Sequence, residues 1–120
     1  MDKYKVLEAL SALGQETRLE VFRLLVAEGS DGLLAGEISD RLDVKQNTMS
    51  TNLAILQRAG LVRSLRSGRT IRYFADIEGF QSMVLYLLED CCGGRPELCQ
   101  PLFKTLRCSE IGKSHERKCL

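Results

Sequence analysis

One stretch, from Val44 to Ala75, constrains this chain more than any other. No carboxylate lies between Asp43 and Asp76, yet six of the chain's 17 basic residues fall there. These six are Lys45, Arg58, Arg63, Arg66, Arg69 and Arg72. Because the whole chain has a formal net charge of only +1, its positive charge is concentrated in this segment. A local concentration of this kind is typical of a surface that contacts phosphate groups.

The first half of the stretch is predicted to be a helix. Asp43 followed by Gln46 predicts a capping box at its start, and Gly60 predicts its end. Its apolar positions recur at i, i+4 and i+7, at Met49, Leu53 and Leu56. This spacing is typical of a helix that buries one stripe and exposes the opposite face.

The exposed face carries short, uncharged, hydrogen-bonding side chains instead of the usual Glu and Lys. Amide and hydroxyl groups both donate and accept hydrogen bonds, which suits base edges in the major groove of DNA. We predict base contacts from Gln46, Asn47, Ser50 and Thr51, and helix positioning by Lys45 and Thr48. Asn52 is included among the candidate DNA-binding residues.

The second half of the stretch changes its period. Two runs, from Leu61 to Arg66 and from Arg69 to Ala75, flank Ser67-Gly68 and predict a β-hairpin with a tight turn. An arginine-rich hairpin after such a helix is similar to the wing of a winged helix-turn-helix. Arg66 and Arg69 are then predicted to bind phosphates. The simpler alternative is a basic hairpin that only keeps the surface soluble.

Three helices are predicted upstream. The first runs from Asp2 to Leu13 with Val6, Leu7 and Leu10 on one side, the second carries Leu19, Phe22, Leu25 and Val26 and ends at Gly29, and the third spans Leu34 to Leu42. The third helix and the Val44–Gly60 helix would form a helix-turn-helix whose second member reads DNA. The predicted fold class is therefore mainly α with a small β-hairpin, a winged helix-turn-helix.

A final helix is predicted to begin after Asp76, as its N-cap, and to run from Ile77 to Cys91 or Cys92. Its long apolar stripe needs a covering surface. Packing on the protein's own core accounts for part of it. We predict that the first and last helices also form the seam of a homodimer, since palindromic operators need two copies.

All five cysteines lie in the last thirty residues, at Cys91, Cys92, Cys99, Cys108 and Cys119. We place a winged helix-turn-helix and dimerisation domain at residues 1–92 and a cysteine-containing loop and tail at residues 93–120. Adjacent cysteines are about 3.8 Å apart, too close for a relaxed disulfide, yet both thiolates can reach one large ion.

Cys91, Cys92 and Cys99 together predict a three-thiolate site. Zinc usually takes four ligands with Cys-x-x-Cys spacing, which this run lacks. Three thiolates suit trivalent arsenic or antimony, and a methylated trivalent arsenical would need only two. The alternative is that Cys91 is a small core residue and not a ligand. Whether Cys108 takes part in the site stays open, and Cys119 is taken as incidental.

Composition and chemistry restrict the class of protein. The polar start predicts no signal peptide, and the chain has no apolar run near 18 residues, so we expect a cytoplasmic protein with reduced thiols. A thiol reductase needs an activated cysteine at a helix N-terminus, a setting predicted for none of the five. We therefore expect a regulator and not an enzyme. A thiol redox or persulfide sensor on the same fold is the alternative.

Several runs resemble the ArsR family of small dimeric winged-helix repressors, over about residues 5–92. Leu10–Leu19 is similar to the family's opening pattern, Gly-x-x-x-Arg-Leu, and the runs Gln46–Leu53 and Leu56–Val62 are similar to its recognition helix. The family usually has His where this chain has Asn52, and its better-known arsenic members carry cysteines in the third helix. The Cys91–Cys99 run is similar to that of members sensing As(III) after the last helix. The resemblance implies repression of an arsenic-resistance operon that is relieved by As(III).

Overall fold

Five α-helices, one short 3-10 helix (Gly29–Asp31) and three short strands follow one another in residues 1–89, the part of the chain that the computed structural model describes. The helices are α1 (Lys3–Leu13), α2 (Glu16–Glu28), α3 (Ala35–Leu42), α4 (Gln46–Arg58) and α5 (Ile77–Leu87), and the strands are β1 (Leu33–Leu34), β2 (Val62–Ser67) and β3 (Thr70–Ala75). Residues Met1–Tyr86 form one compact unit. This is the winged helix-turn-helix that the sequence predicts. No helix within residues 1–89 is long and apolar enough to cross a membrane.

Helix α1 is present as predicted and buries a side rich in small residues. Asp2 caps it, since its Oδ1 accepts from the backbone N–H of Lys5 at 2.8 Å. The buried positions are Val6, Ala9 and Ala12, and Leu7 and Leu10 point away from the core. Of the three apolar residues predicted on one side, Val6 is therefore buried, whereas Leu7 and Leu10 are exposed. The small alanines let the α1 backbone lie close to the core.

Helix α2 crosses the core with Val21, Phe22 and Leu25 buried. Of the four apolar residues on which this helix was predicted, Phe22 and Leu25 are buried, and Leu19 and Val26 are exposed. The inward stripe is therefore narrower than the spacing of apolar residues in the sequence indicates.

The chain between α2 and α3 contains a strand that the sequence analysis missed. The third helix begins at Ala35 and not at Leu34, because Leu33 and Leu34 pair antiparallel with Tyr73 and Arg72 of β3. The sheet order is β1-β3-β2. Leu34 is tied to α3 because its N–H donates to Glu37 Oε1 at 2.8 Å. A two-residue strand is too short to show a period in the sequence.

Helix α4 buries Met49, Leu53 and Leu56 fully, which confirms its predicted inner face. Its start differs from the prediction, because Asp43 has φ +54° and ends α3, and Lys45 is the residue before α4. The capping box of Asp43 with Gln46 is therefore wrong.

The end of α4 confirms the prediction for Gly60. This glycine has φ +83°, which favours glycine over residues with a Cβ. Its N–H donates to Gln57 O at 3.1 Å, and the N–H of Leu61 donates to Leu56 O at 3.0 Å. These two bonds form a Schellman motif, which satisfies the last carbonyl groups of the helix.

The β2–β3 hairpin, called the wing below, is present as predicted but turns one residue later. Ser67 pairs with Thr70, so the two turn residues are Gly68 and Arg69 instead of Ser67 and Gly68. Gly68 has φ +62°, and Asp43 is the only non-glycine residue with positive φ within residues 1–89. A glycine at the first turn position with an ordinary second residue is typical of a type II′ hairpin.

Helix α5 begins as predicted and ends earlier. Asp76 Oδ1 accepts from the N–H of Gly79 at 3.0 Å, which confirms Asp76 as its cap. Met83 is buried, and the ring of Phe80 packs on Phe22 with centroids 5.4 Å apart. The helix ends at Leu87, short of the predicted end at Cys91 or Cys92.

Gly32→Ala should destabilise the protein more than Gly29→Ala. Both glycines have φ +62°, a conformation costing other residues about 1–3 kcal/mol. A Cβ on Gly32 would also overlap the Phe74 ring and Tyr73 O, whereas one on Gly29 would meet open space. We expect an additional loss of about 1–3 kcal/mol for Gly32→Ala, measured by urea unfolding. Equal losses in the two variants would contradict this close packing.

Candidate nucleic-acid interface

Helix α4 separates an apolar inner face from a polar outer face. The exposed candidate residues are Lys45, Gln46, Asn47, Thr48, Ser50 and Thr51. All six occupy the start of the helix or the residue before it. The buried residues Met49, Leu53 and Leu56 fix the rotation of the helix about its axis, because they lie among the core side chains. The sequence therefore placed these six side chains correctly at the surface.

The first turn of α4 is electrostatically suited to an anion. The N-cap residue Lys45 makes no side-chain capping hydrogen bond, and the first turn of α4 holds no acidic residue. Asn47 Oδ1 accepts from the N–H of Thr48 at 2.9 Å, and Thr51 Oγ1 donates to Asn47 O at 3.2 Å. These local bonds order the polar face. The positive end of the helix dipole, with Lys45 beside it, favours a phosphate there.

The wing is fixed to α4 by a side-chain hydrogen bond. Gln57 Nε2 donates to Ser64 Oγ at 2.8 Å, which joins the last turn of α4 to β2. Gln57 lies on the exposed face of α4. Its bond to Ser64 gives it the further role of holding helix and wing together.

Arg66 and Arg69 lie exposed at the end of the wing. Arg66 Nε donates to Gly68 O at 3.3 Å, which orders its side chain beside the turn. Arg69 is the second turn residue. Both side chains are therefore accessible to a ligand at the tip of the wing.

Two other arginines of the basic stretch are engaged by the protein. Arg63 stacks on Phe74 with its Cζ 4.7 Å from the ring centroid. Arg72 Nη1 donates to Asp31 O at 3.2 Å and to Gly32 O at 3.4 Å, and so holds the segment before β1. The charge count of the sequence could not distinguish these two arginines from Arg66 and Arg69.

Asn52 does not belong to the outer face. Its side chain is 7% exposed, and its Oδ1 accepts from Arg18 Nη1 at 3.2 Å. Arg18 Nε in turn donates to Ala12 O at 2.7 Å. The prediction that Asn52 contacts DNA is therefore corrected: it joins α4 to α2. A signal was present in the sequence, since Asn52 lies three residues after Met49 and next to Leu53, on the inner side.

The predicted thiolate site at Cys91, Cys92 and Cys99 lies outside the described residues. All five cysteines do, because the first of them is residue 91. Within residues 1–89, no group of three or more His, Cys, Asp or Glu side chains is placed to hold a metal ion.

Helix α4 has a buried apolar face and an exposed polar face, and the arginine-bearing wing lies beside it. These features define a winged helix-turn-helix regulator that binds DNA. The family described as a helix-turn-helix domain matches residues 13–64. The transcriptional activator HlyU of Vibrio cholerae is 31% identical over 80 residues, covering 67% of this chain and 71% of that protein. ArsR2 of Halobacterium salinarum, named as an arsenical resistance operon repressor, is 33% identical over 87 residues, which cover 72% of this chain and 71% of that protein.

Solved structures agree with these relatives. An ArsR-like transcriptional regulator from Rhodococcus sp. RHA1 is 26% identical with a TM-score of 0.65, covering 86% of this chain and 93% of that one. The homodimeric winged helix-turn-helix DNA-binding domain of Mb0332 from Mycobacterium bovis is 26% identical with a TM-score of 0.58. The match covers 70% of this chain and 76% of that one. The chain belongs to the ArsR family of winged helix-turn-helix transcriptional regulators.

Asn52→Ala and Ser50→Ala should differ in their effect on stability. Loss of the Asn52 amide leaves the half-buried Arg18 guanidinium without this acceptor, and we expect a loss of about 1–3 kcal/mol. Ser50 is exposed on the outer face, so its replacement should stay within about 0.5 kcal/mol. The measurement is urea unfolding followed by far-UV circular dichroism. If Asn52→Ala is as stable as the wild type, the Arg18 contact does not hold α4.

Proposed function

We propose that the protein is a homodimeric repressor that binds operator DNA with α4 and the wing, and that As(III) releases it. The observation that carries the DNA-binding part is the division of α4 into a buried apolar face and an exposed, uncharged polar face. Bases are contacted by Gln46, Asn47, Ser50 and Thr51, phosphates by Lys45, Arg66 and Arg69, and Thr48 positions the helix. The affinity then comes mainly from the cations and the sequence preference from the polar face.

Exposed apolar side chains support the homodimer. In α1, Tyr4 is 75% and Leu7 53% exposed, on the side opposite the buried Val6 and Ala9. In α5, Leu85 is 54% exposed. Apolar surface of this kind is typical of a subunit interface, and a symmetric dimer presents two recognition helices to a palindromic site. The Mycobacterium bovis neighbour is homodimeric.

The inducer proposal rests on the chemistry of the three thiols. Arsenite, As(OH)3, condenses with the thiols of Cys91, Cys92 and Cys99 to form three As–S bonds, releasing three water molecules without electron transfer. Antimony(III) can bind in the same way, and a methylated trivalent arsenical would take two thiols. Two Halobacterium salinarum relatives are named as arsenical resistance operon repressors.

Release requires that As(III) prefers the DNA-free dimer. Binding would shift the spacing or tilt of the two recognition helices, so that they no longer fit one operator. By linkage, DNA must weaken As(III) binding by the same factor by which As(III) weakens DNA binding. A redox or persulfide sensor of the same fold would instead respond to an oxidant without As(III).

Arg69→Ala should reduce the salt dependence of DNA binding. Each phosphate contact contributes about 0.9 to the slope of log K against log salt concentration, so losing one contact per subunit lowers the slope of a dimer by about 2. Arg63→Ala is the matched control, because Arg63 is held on Phe74 within the same hairpin. Fluorescence anisotropy with a labelled duplex at several salt concentrations measures both slopes. Equal slopes for Arg69→Ala and the wild type would exclude Arg69 as a phosphate contact.

As(III) should dissociate the wild-type protein from DNA but not the variants of its site. We expect Cys91→Ser, Cys92→Ser and Cys99→Ser to bind the duplex like the wild type and to need at least about tenfold more As(III) for release. Cys119→Ser serves as the control, and Cys108→Ser decides whether that residue takes part. If all three site variants are released like the wild type, the ligand assignment is wrong. Release by diamide alone would favour the redox sensor.

A further inference from the structure

The C-terminal end of α4, residues 58–61, is held by contacts from α1 and from the start of α5. Lys5 Nζ in α1 donates to Arg58 O, and the Lys5 side chain lies beside Gly60. Asp76 N–H donates to Leu61 O at 2.8 Å. The end of α4 is thus held by its own Schellman motif and also by contacts from α1 and from the start of α5.

The contact with α5 is between backbones. A Cβ on Gly79 would overlap the carbonyl oxygen of Gly60, so only glycine lets the first turn of α5 lie this close. The atom that this Cβ would overlap belongs to the backbone of Gly60 and not to a flexible side chain that could rotate away. A shift of the first turn of α5 must therefore move the end of α4.

Lys5 adds a charged contact to the same end. The last carbonyl groups of a helix lack partners within the helix and carry partial negative charge. The Lys5 ammonium group is a suitable donor there, and it also lies 3.4 Å from Glu8 Oε1. Its partners are thus a helix terminus and a carboxylate.

We infer that Lys5 and Gly79 are positioning residues for DNA recognition, which act through α4 without touching DNA. This inference rests on the proposed DNA binding. Arg58 is 12 residues after Gln46, which places Lys5 about 18 Å along the helix from the first base-contacting side chain. A tilt of about 5° at this end moves the other end by about 1.6 Å, enough to break a hydrogen bond to a base.

Such a tilt affects the two kinds of DNA contact differently. Base contacts by Gln46 and Asn47 need short, directed hydrogen bonds. Phosphate contacts by Lys45 and the wing arginines tolerate small displacements, because these side chains are long and flexible. Loss of the Lys5 contact should therefore lower sequence-specific binding and leave non-specific binding nearly intact.

The test uses the full reduced chain without As(III) and two labelled duplexes. One duplex is selected from a random pool by the wild-type protein, and the other is a scrambled sequence of the same composition. We expect Lys5→Met to weaken binding to the selected duplex about tenfold, to change binding to the scrambled duplex less than about twofold, and to leave both salt slopes unchanged. Lys5→Arg should bind the selected duplex like the wild type. Lys3→Met, which replaces an exposed lysine of the same helix, should also match the wild type.

The results distinguish a positioning role of Lys5 from direct phosphate binding and from failure of the proposed function. An unchanged ratio of the two affinities in Lys5→Met overturns the positioning role and leaves the proposed function intact. An equal loss on both duplexes with a lower salt slope shows that Lys5 binds phosphate directly, which also overturns it. If the wild-type protein selects no duplex, the proposed function itself fails, and the inference fails with it.

Gly79→Ala provides a second variant should Lys5→Met fold poorly. Alanine normally raises the stability of a helix relative to glycine. The overlap with Gly60 O predicts the opposite here, a lower melting temperature, together with the same loss of specificity. A higher melting temperature with wild-type specificity would show that the backbone contact does not position α4.

Discussion

The burial of one face of α4 is the interaction on which the rest of the structure depends. Met49, Leu53 and Leu56 are fully buried, and each contributes about 1.5–3 kcal/mol of hydrophobic free energy relative to an exposed side chain. Successive residues of a helix differ by about 100° around its axis, so turning α4 by one residue would expose these side chains and bury polar ones. The core therefore determines which side chains α4 presents outward, and these are the short amide and hydroxyl groups.

Burial fixes the rotation of α4, and hydrogen bonds along its length fix its position. Arg18 contacts Asn52 in the middle of the helix, and Gln57 joins its last turn to the wing. Lys5 binds the carbonyl oxygen of its final residue. These contacts come from α2, β2 and α1, so the recognition helix is held by three separate elements while its N-terminal half is exposed to a ligand.

Local patterns predicted most of the fold. The apolar spacing of α4, Gly60 at its end, the hairpin and the Asp76 cap each depend on a few neighbouring residues, and all are confirmed. Two local predictions also failed, because Asp43 ends α3 instead of capping α4 and the hairpin turns one residue later. The other errors arose where tertiary contacts decide the outcome. Strand β1 exists only through its pairing with β3. Helix α1 has two apolar sides, and the periodicity of its sequence does not indicate which of them is buried. Asn52 was misplaced because its polar character was weighed above its position beside Leu53. The thiolate site stays a prediction, since its cysteines lie outside the described residues.

We place the proposed DNA-binding surface at the outer face of α4 and the tip of the wing. The most direct test of this placement is NMR mapping of backbone amide shifts in the full chain on addition of a duplex that the protein selects. We expect the largest shifts at residues 45–51 and 66–70 and nearly constant shifts in the core of α2, at residues 21–25. Largest shifts in α2, with the amides of α4 and the wing unchanged, would contradict it.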